Sequence, residues 1–482
     1  MRISASFRVL GLLLMLFSLT MLVPLFVSII YEDGEHLNFI FSLLLTFGGG
    51  VLIWLPTARS KRDLSTRDGF LITSLFWTVL GIFGSLPFYL TDSLSHNGVD
   101  AIFESVSGLT TTGATVYTGL DALPKSILFY RQFIQWIGGI GIVVIAVAIL
   151  PMLGVGGMQI YRAETPGPVK DNKMTPRITS TAKALFLLYV TLTAMCAVAY
   201  WIAGMSGFDA IGHSFSTIAI GGFSTHDASM GHFDNPLLWM LSSIFMFAAA
   251  INFAHHFFWW NTGSIKHYFR DSETKFYSSI LFICIVITCG YLYYTGTFDA
   301  SDSIYHGVFQ AVSITTTTGY VTTDFSIWPT FLPMMLLLCA VMGGCAGSTG
   351  GGAKAVRVML IFKQGARELK QLVHPNAVIP LKLGKNRVPA SVVSAVWSFM
   401  AVYLMAFIFI MLLLQATGLD YITSFSATAG TINNLGPGLG DVTSHYGDIS
   451  NFAKLVLCFS MLLGRLEIFT LLVLFTPTFW RR

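Results

Sequence analysis

Leu109-Thr110-Thr111-Thr112-Gly113-Ala114-Thr115 is the stretch on which the organisation of this chain depends, because related stretches follow it. A second version reads Ile314-Thr315-Thr316-Thr317-Thr318-Gly319-Tyr320, and a divergent one reads Ser216-Thr217-Ile218-Ala219-Ile220-Gly221-Gly222-Phe223. The weakest version reads Gly430-Thr431-Ile432-Asn433-Asn434-Leu435-Gly436. Consecutive versions are about a hundred residues apart, and such spacing is typical of an internal repeat.

Threonine and glycine in a short segment have the chemistry of an ion filter. Threonine offers a carbonyl and a hydroxyl, and glycine allows backbone conformations that turn carbonyl dipoles inward. Four such segments around one axis could replace the water shell of a monovalent cation. The predicted filter residues are Thr110, Thr111, Thr112, Gly113, Ala219, Ile220, Gly221, Gly222, Thr316, Thr317, Thr318, Gly319, Ile432, Asn433, Asn434, Leu435 and Gly436.

The composition excludes a soluble protein. Of the 482 residues, 54% are hydrophobic and only 11% are charged, and the mean hydropathy is +0.69. Soluble domains carry about 25% charged residues. The basic residues do not alternate with aromatic ones as on a nucleic-acid surface. The six cysteines fall inside apolar stretches without metal-ligand spacing, so we interpret them as small hydrophobic residues.

The apolar stretches predict an all-α polytopic membrane protein. The first is too long for the apolar region of a signal peptide and lacks a cleavage site, so we predict a transmembrane helix there. Spans of roughly 20 residues cross a bilayer, and ten can be placed. They are 9–30, 37–56, 69–91, 127–153, 182–205, 236–260, 276–296, 330–360, 391–417 and 452–475.

Four shorter apolar stretches, 100–111, 209–219, 302–316 and 420–431, cannot span a membrane and predict re-entrant helices. Each opens with an aspartate, which we interpret as the N-cap: Asp100, Asp209, Asp302 and Asp420. The third stretch is longer by one helical turn. Counted from these aspartates, Asn433 takes the place that glycine holds in the other segments, although the later Gly436 is the alternative. A short helix that points inward aims the negative end of its dipole at the filter.

The repeats define the predicted domains. A transmembrane pair at 1–60 precedes four pseudo-symmetric repeats, each built as helix, pore helix, filter and helix around one pore. The repeats span 69–156, 181–262, 275–362 and 390–476. No aqueous stretch is long enough for a second folded domain.

The distribution of charge predicts the orientation. Of the 28 lysines and arginines, 24 lie in the two termini and in loops 57–68, 157–183, 261–275 and 354–390. The positive-inside rule places these loops and both termini in the cytoplasm. The opposite face carries 16 of the 24 acidic residues, which either concentrate cations above the filter or are simply tolerated there. The basic loops suit a partner protein or anionic lipid.

The eighth predicted span is interrupted by Gly343-Gly344-Cys345-Ala346-Gly347-Ser348-Thr349-Gly350-Gly351-Gly352-Ala353-Lys354. Each glycine costs about 1 kcal/mol relative to alanine in a helix, so the stretch predicts a break. A nucleotide-binding P-loop is excluded because Gly-Lys-Ser/Thr is missing at its end. The break is either a movable gate across the pore or a static packing kink. The predicted gate residues are Gly343, Gly344, Gly347, Ser348, Thr349, Gly350, Gly351, Gly352 and Arg465.

Arg465 lies roughly 20 Å along the last predicted helix from its outer end. An arginine at this depth faces a cavity or a partner. It either projects into the pore beneath the filter or forms an ion pair with a neighbouring helix, and Glu467 is a poor partner within the same helix. His255 and His256 suit an interfacial belt. Arg131 and Gln135 either brace the filter or anchor their helix.

Two other classes of function remain as alternatives. An ion-coupled secondary transporter would need titratable residues at mid-membrane, and only the region of Arg465 and Glu467 offers any. A membrane enzyme would need a clustered acid/base or nucleophile set, which we do not find, so we predict that the protein is not an enzyme.

The layout of four repeats resembles the Trk/Ktr/HKT superfamily of potassium transporters over essentially the whole chain. Specific resemblances are Thr-Thr-Thr-Gly-Ala-Thr, Gly-Gly-Cys-Ala-Gly-Ser-Thr-Gly-Gly-Gly, Asn-Asn-Leu-Gly-Pro-Gly-Leu-Gly and the closing Gly-Arg-Leu-Glu. The extra helix pair before residue 60 is similar to that of the TrkH/TrkG branch.

The resemblance implies K⁺ and Rb⁺ uptake across the bacterial inner membrane by a homodimer in which each protomer has its own pore. It implies a cytoplasmic, TrkA-like regulatory ring that binds nucleotides, with no cofactor on this chain and K⁺ as the substrate. It also implies that 343–352 is the intramembrane gate and that Arg465 narrows the pore. We expect passive, gated uptake driven by an inside-negative potential.

Overall fold

The computed structural model describes residues 3–58, 66–149, 178–329, 331–384 and 386–481, which are mostly helical. The helices are Ile3–Thr20, Leu22–Tyr31, His36–Trp54, Thr66–Gly84, Leu86–Leu90, Gly98–Leu109, Lys125–Ile149, Ile178–Ile202, Gly207–Ala219, Pro236–Ala250, Phe253–Thr262, Lys266–Arg270, Ser272–Tyr294, Ala300–Thr315, Leu332–Ala340, Ala355–Val373, Ala390–Ala416, Tyr421–Ile432, Asn451–Arg465, Phe469–Leu472 and Pro477–Trp480. Short 3₁₀ turns lie at Leu55–Thr57, Leu120–Ala122, Ser229–Phe233, Phe325–Ile327, Gly440–Val442 and Val473–Phe475.

One small element departs from the all-α prediction. Strands Lys382–Leu383 and Asn386–Arg387 pair antiparallel within the predicted basic loop 354–390. Two residues a side add little to the fold.

Within the described residues, six helices are long and apolar enough to cross a membrane, or eight if two bent pairs each count as one span. The bent pairs are Pro236–Ala250 with Phe253–Thr262, at 96°, and Asn451–Arg465 with Phe469–Phe475, at 109°. The polytopic helical class is therefore confirmed, and the count of ten is not. Of the other two predicted spans, 127–153 extends beyond the described residues and 330–360 is broken by the glycine-rich stretch.

Four short helices form at the four predicted places. We name them short helix 1 (Gly98–Leu109), short helix 2 (Gly207–Ala219), short helix 3 (Ala300–Thr315) and short helix 4 (Tyr421–Ile432). They have 12, 13, 16 and 12 residues, so the extra turn predicted for the third is present.

The short helices pack in a cyclic order. Short helix 2 packs against Lys125–Ile149, short helix 3 against Pro236–Ala250 and short helix 4 against Leu332–Ala340. Short helix 1 closes the cycle by packing against Asn451–Arg465, near the end of the chain. Each short helix thus contacts the long helix that follows the preceding Thr/Gly segment.

The long helix after each Thr/Gly segment is interrupted, although the sequence predicted only one such break. Gly141 has non-helical angles (φ 68°, ψ 158°) within Lys125–Ile149. Asn252 starts a new helix by accepting a hydrogen bond from the Ala254 N–H at 2.8 Å. Glu467 and Ile468 have positive φ beyond Asn451–Arg465. The predicted continuous helices 236–260 and 452–475 were therefore wrong, because tertiary contacts replace the backbone hydrogen bonds lost at the breaks.

Two apolar groups of side chains form most of the core. One joins the N-terminal helices to short helices 1 and 4 through residues such as Phe17, Phe103 and Met461. The other surrounds short helices 2 and 3 with residues such as Met230, Met246 and Tyr320. The Thr/Gly segments lie between the groups, where Thr111, Thr317 and Asn434 are nearly inaccessible to solvent.

Candidate functional site

The four Thr/Gly segments share one backbone conformation. We name them segment 1 (110–113), segment 2 (219–222), segment 3 (316–319) and segment 4 (432–436). Each has a non-glycine residue in the left-handed region followed two positions later by a glycine with positive φ. The left-handed residues are Thr111, Ile220, Thr317 and Asn434, and the glycines are Gly113, Gly222, Gly319 and Gly436. Such strain persists only where the surroundings enforce it, and it concentrates at functional sites.

The segments lie side by side in a closed ring. A β-carbon added to Gly113 would overlap the carbonyl oxygen of Gly221, and the same relation joins Gly222 to Thr318 and Gly319 to Leu435. A β-carbon on Gly436 would lie 2.6 Å from the carbonyl oxygen of Thr112, which returns the series to segment 1. Four parts of the chain separated by about a hundred residues therefore surround a single axis.

Many carbonyl oxygens of this ring have no hydrogen-bond partner among the described residues. Across the described residues, the carbonyls of the four left-handed residues and of Gly113, Gly222 and Gly319 accept no hydrogen bond. Buried carbonyls are normally paired. Several unpaired carbonyl dipoles around one axis can instead coordinate a dehydrated cation.

The predicted N-caps were wrong in three of the four short helices. Asn97, Ser206 and Asp299 are the caps that accept backbone N–H groups, and only Asp420 caps as predicted. Asp209 and Asp302 instead lie three residues after the cap, where their N–H groups donate to its side chain. An acidic residue is favourable anywhere in the first turn, so composition alone does not distinguish the positions.

The corrected caps show which residue of segment 4 is equivalent to the positive-φ glycines of the other segments. Equal numbers of residues separate Asn97 from Gly113, Ser206 from Gly222 and Asp420 from Gly436. Gly436, rather than Asn433, therefore occupies the glycine position, in agreement with its φ of 99°. Asn433 lies at the C-cap of short helix 4, and its side chain accepts a hydrogen bond from the Tyr403 hydroxyl at 2.9 Å.

A buried ion pair supports segments 1 and 2 from behind. The side chains of Glu104 and Arg131 are 0% and 1% exposed, and Arg131 Nε donates to Glu104 Oε1 at 2.8 Å. Glu104 also accepts from the Val116 N–H at 3.0 Å, and Arg131 donates to the carbonyl of Ser224 at 2.9 Å. The pair joins the residues after Gly113 to those after Gly222. Glu104 was not among the residues predicted from the sequence, although a lone carboxylate inside an apolar helix is a signal of such a partner.

Gln135 performs a similar structural role one turn along the helix from Arg131. Its amide donates to the carbonyl of Gly221 at 2.6 Å and accepts from the Phe223 N–H at 3.1 Å. Of the two interpretations offered for Arg131 and Gln135, the structure favours bracing of the segments.

Glu104→Gln is expected to lower the free energy of unfolding by about 3–5 kcal/mol, because it leaves the buried guanidinium of Arg131 without its counter-charge. The thermal unfolding midpoint of the detergent-solubilised protein measures this loss. Glu368→Gln is the matched control, since Glu368 pairs with Arg367 at 3.3 Å with its side chain 56% exposed. A change of less than about 1 kcal/mol is expected there. Equal losses in the two variants would contradict the bracing role.

The glycine-rich stretch 343–354 packs against the carboxyl ends of the short helices. The Gly351 N–H donates to Thr317 Oγ1 at 2.8 Å, and the Gly352 N–H donates to the carbonyl of Asn433 at 3.1 Å. The Thr349 hydroxyl donates to the carbonyl of Ile218 at 2.9 Å. The stretch is also tied to the break in the long helix of repeat 2, because the Cys345 N–H donates to the carbonyl of Ala250. It therefore contacts residues of repeats 2, 3 and 4.

Arg465 reaches the same level from the remaining side. Its guanidinium approaches Thr111 Oγ1 at 3.4 Å and the carbonyl of Thr349 at 3.3 Å. It also donates to the carbonyls of Gly138 and Gly139, next to the break at Gly141. The adjacent Glu467 pairs with Arg357 on the helix that follows the glycine-rich stretch. A cation thus lies against the left-handed residue of segment 1 and within hydrogen-bond reach of the glycine-rich stretch.

A polar network joins the loops that follow segments 1 and 2. The carboxylate of Asp227 accepts the N–H groups of Gly119 and Leu120 at 3.1 and 3.0 Å. Burial opposes ionisation of Asp121, but the hydrogen bond and charge of His226, the Asp227 N–H and the charge of His232 together outweigh it and lower the pKa of that carboxyl. Burial likewise opposes charge on His226, but Asp209 and Asp121 raise its pKa above the usual value. The sequence analysis did not single out this network, because its members are far apart in sequence.

His255 and His256 fall outside this region. His256 is bonded to the Tyr268 hydroxyl at 2.7 Å and to the carbonyl of Ala248 at 2.8 Å, and His255 lies 3.5 Å from Asp271. These contacts are all with groups of the protein, and the interfacial belt stays a prediction.

These features define the class: an integral membrane transport protein with a ring of backbone carbonyls at its centre. Comparison with known proteins is more specific, since residues 35–482 match the family model described as TrkH: Cation transport protein. The chain belongs to this family, whose members are transporters rather than enzymes.

Three relatives illustrate the similarity. The Trk system potassium uptake protein TrkH of Halomonas elongata is 54% identical over 98% of both chains, and that of Vibrio parahaemolyticus is 55% identical over the full length of both. The crystal structure of the potassium transporter TrkH from Vibrio parahaemolyticus aligns over the full length of both chains with a TM-score of 0.91 and 51% identity. The predicted family resemblance is confirmed.

Proposed function

We propose that this protein mediates K⁺ and Rb⁺ uptake across the bacterial inner membrane through a selective pore. The observation that carries the proposal is the closed ring in which Gly113, Gly222, Gly319 and Gly436 each abut the next segment. Its unpaired carbonyls offset the cost of removing water from the ion. The negative ends of four short-helix dipoles add to the attraction for a cation. The potassium uptake systems named among the relatives support the choice of ion.

The four predicted repeats are the quarters of this pore, and the helix pair 1–60 lies outside it. The cyclic packing of the short helices supports this division. The end of the first quarter, 69–156, lies outside the described residues. Both termini and the basic loops are placed in the cytoplasm by the positive-inside rule, so the loops after the segments face the exterior.

The glycine-rich stretch and Arg465 form the proposed gate. Both contact residues at the carboxyl ends of the short helices, so an ion leaving the ring meets them next. The stretch contains Gly343, Gly347 and Gly352 at positive φ. Lys354 closes it by donating to the carbonyl of Gly350. An alternative arrangement of this stretch would open a path without disturbing the ring.

The helix Ala355–Val373 is the proposed connection to a TrkA-like, nucleotide-binding regulatory ring. It begins directly after the glycine-rich stretch, so a displacement of the helix would move the gate. Beyond Gln364 its surface carries Arg367 and Lys370 together with the exposed Leu369 and Leu372. This mixture of basic and apolar groups suits a protein partner. Nucleotide is expected on that partner only, and a homodimer is expected from the family resemblance.

Uptake of ⁸⁶Rb⁺ into liposomes that contain the purified protein alone tests the proposed function. We expect Rb⁺ to accumulate under an inside-negative potential, with external K⁺ competing and Na⁺ competing weakly. The reversal potential should follow the K⁺ gradient and remain unchanged when the pH differs across the membrane, because a passive pore couples to no second ion. A shift with the H⁺ or Na⁺ gradient would favour the secondary transporter, and absence of Rb⁺ uptake would contradict the proposal.

A further inference from the structure

Three side chains with metal-binding atoms meet outside the carbonyl ring. Asp121, His226 and His232 each place one such atom within 4.8 Å of the others. We name them the loop cluster. Asp121 lies in the turn Leu120–Ala122 after segment 1, whereas both histidines follow segment 2. The cluster therefore joins two quarters of the molecule.

The two imidazole rings of the loop cluster are stacked face to face. The rings of His226 and His232 are stacked with centroids 3.5 Å apart and an interplanar angle of 2°. Nδ1 of His226 contacts the carboxylate of Asp121, and Nε2 lies 3.5 Å from Asp209 Oδ1. Nε2 is buried, and among the described residues it has no hydrogen-bond partner. One ligand atom of each of the three residues lies within 4.8 Å of the others, and a turn of one stacked ring would bring a nitrogen of each histidine to the same ion.

The surrounding network fixes the backbone of the loops that carry the loop cluster. Asp227 ties the two loops together through the N–H groups of Gly119 and Leu120. The Thr225 hydroxyl donates to Asp209 Oδ1 at 2.7 Å, and the His226 N–H donates to Ser224 Oγ at 3.1 Å. A metal site requires such support, because ligands held by a second layer of hydrogen bonds lose less conformational freedom on binding.

We propose that Asp121, His226 and His232 bind one Zn²⁺ ion on the outer side of the protein. Two imidazole nitrogens and one carboxylate oxygen form a ligand set typical of zinc, with a fourth position for water. Mg²⁺ and Ca²⁺ prefer sites made of oxygen alone, so the two histidines select against them. Asp121 and His232 are exposed, which leaves the ion a path from solution.

The ion would act on K⁺ influx, an effect that rests on the proposed function. His226 follows Gly222 by four residues, and Asp121 follows Gly113 by eight, so Zn²⁺ would link the two loops that rise from adjacent segments. It would also place a double positive charge beside the outer mouth and lower the local concentration of cations. Zn²⁺ outside the membrane is therefore an inhibitor of influx.

Titration calorimetry with ZnCl₂ on the full chain in detergent tests the site itself. We expect one Zn²⁺ per chain, an affinity lowered by about tenfold to a hundredfold in both His232→Gln and Asp121→Asn, and no comparable binding of Mg²⁺. His445→Gln is the matched control, because His445 lies in an outer loop with Asp448 at 3.9 Å but belongs to no such cluster. Absence of binding to the wild type, or unchanged affinity in both variants, would overturn the proposal.

Flux measurements test the consequence separately. External ZnCl₂ is expected to slow ⁸⁶Rb⁺ uptake into liposomes containing the wild type or His445→Gln, and to leave His232→Gln unaffected. Calorimetric binding without inhibition would support the metal site and contradict its effect on influx. Because calorimetry requires no transport, failure of the proposed K⁺ function would leave the binding result interpretable. Gel filtration of each variant verifies its fold.

Discussion

Gly113→Ser is expected to lower the K⁺/Na⁺ selectivity of uptake on the order of tenfold, since a side chain in the left-handed region costs roughly 1–2 kcal/mol. Gly113 has a φ of 80°, and its added β-carbon would overlap the carbonyl oxygen of Gly221. The ring must widen or twist to accept it. A widened ring fits K⁺ poorly and lets a partly hydrated Na⁺ pass. Rubidium and sodium flux into liposomes measures the ratio.

Gly119→Ser is the matched control for this experiment. Gly119 has a similar φ of 73°, but no atom lies within 4 Å of an added β-carbon. The substitution therefore imposes the same backbone strain without contact with the ring, and we expect the selectivity to remain unchanged. If Gly113→Ser also left the flux ratio unchanged, segment 1 would not belong to the filter.

Arg465→Ala is expected to raise K⁺ flux on the order of tenfold, because a fixed positive charge beside the path of a cation raises its barrier. Arg465 also links Thr111 to Thr349 and to the carbonyls of Gly138 and Gly139, so its removal loosens the glycine-rich stretch. Initial rates of ⁸⁶Rb⁺ uptake, normalised to the amount of protein, measure the increase.

Two further variants separate the charge from the contacts. Arg465→Lys keeps the charge but cannot reproduce the several hydrogen bonds of a guanidinium. Wild-type flux in Arg465→Lys would assign the effect to charge, and raised flux would assign it to the contacts. Deletion within 347–352 should raise flux while Arg465 remains in place. Unaltered flux in both Arg465→Ala and the deletion would contradict the gate.

Local patterns predicted the elements well. The four short helices, the longer third one and the break at the glycine-rich stretch all follow from residues close in sequence, and all are present. Runs of apolar residues and clustered glycines act through the backbone within a few turns, so a single sequence suffices to locate them.

Predictions from the sequence were wrong where a residue type suits two positions at the start of a helix equally well. Asp209 and Asp302 suit the third helical position as well as the cap. Because the caps of these helices lie three residues earlier, counting from the aspartates assigned the glycine position of segment 4 to Asn433 instead of Gly436. The breaks near Asn252 and Glu467 carry no glycine cluster, and the break at Gly141 follows Gly138 and Gly139, from which no break was predicted. They exist because backbone groups there bond to other segments, for example the Phe253 N–H to the carbonyl of Gly347.

By itself, the sequence determined that the chain lies in a membrane, that it repeats a short helix followed by a Thr/Gly segment, and which family it resembles. Tertiary structure alone decided that Gly436 closes the ring on Thr112, that Glu104 and Arg131 pair behind it and that Asp121 meets His226 and His232. The reason is physical. Composition and helical period act over a few residues, whereas these contacts join residues that approach only after the four quarters have packed together.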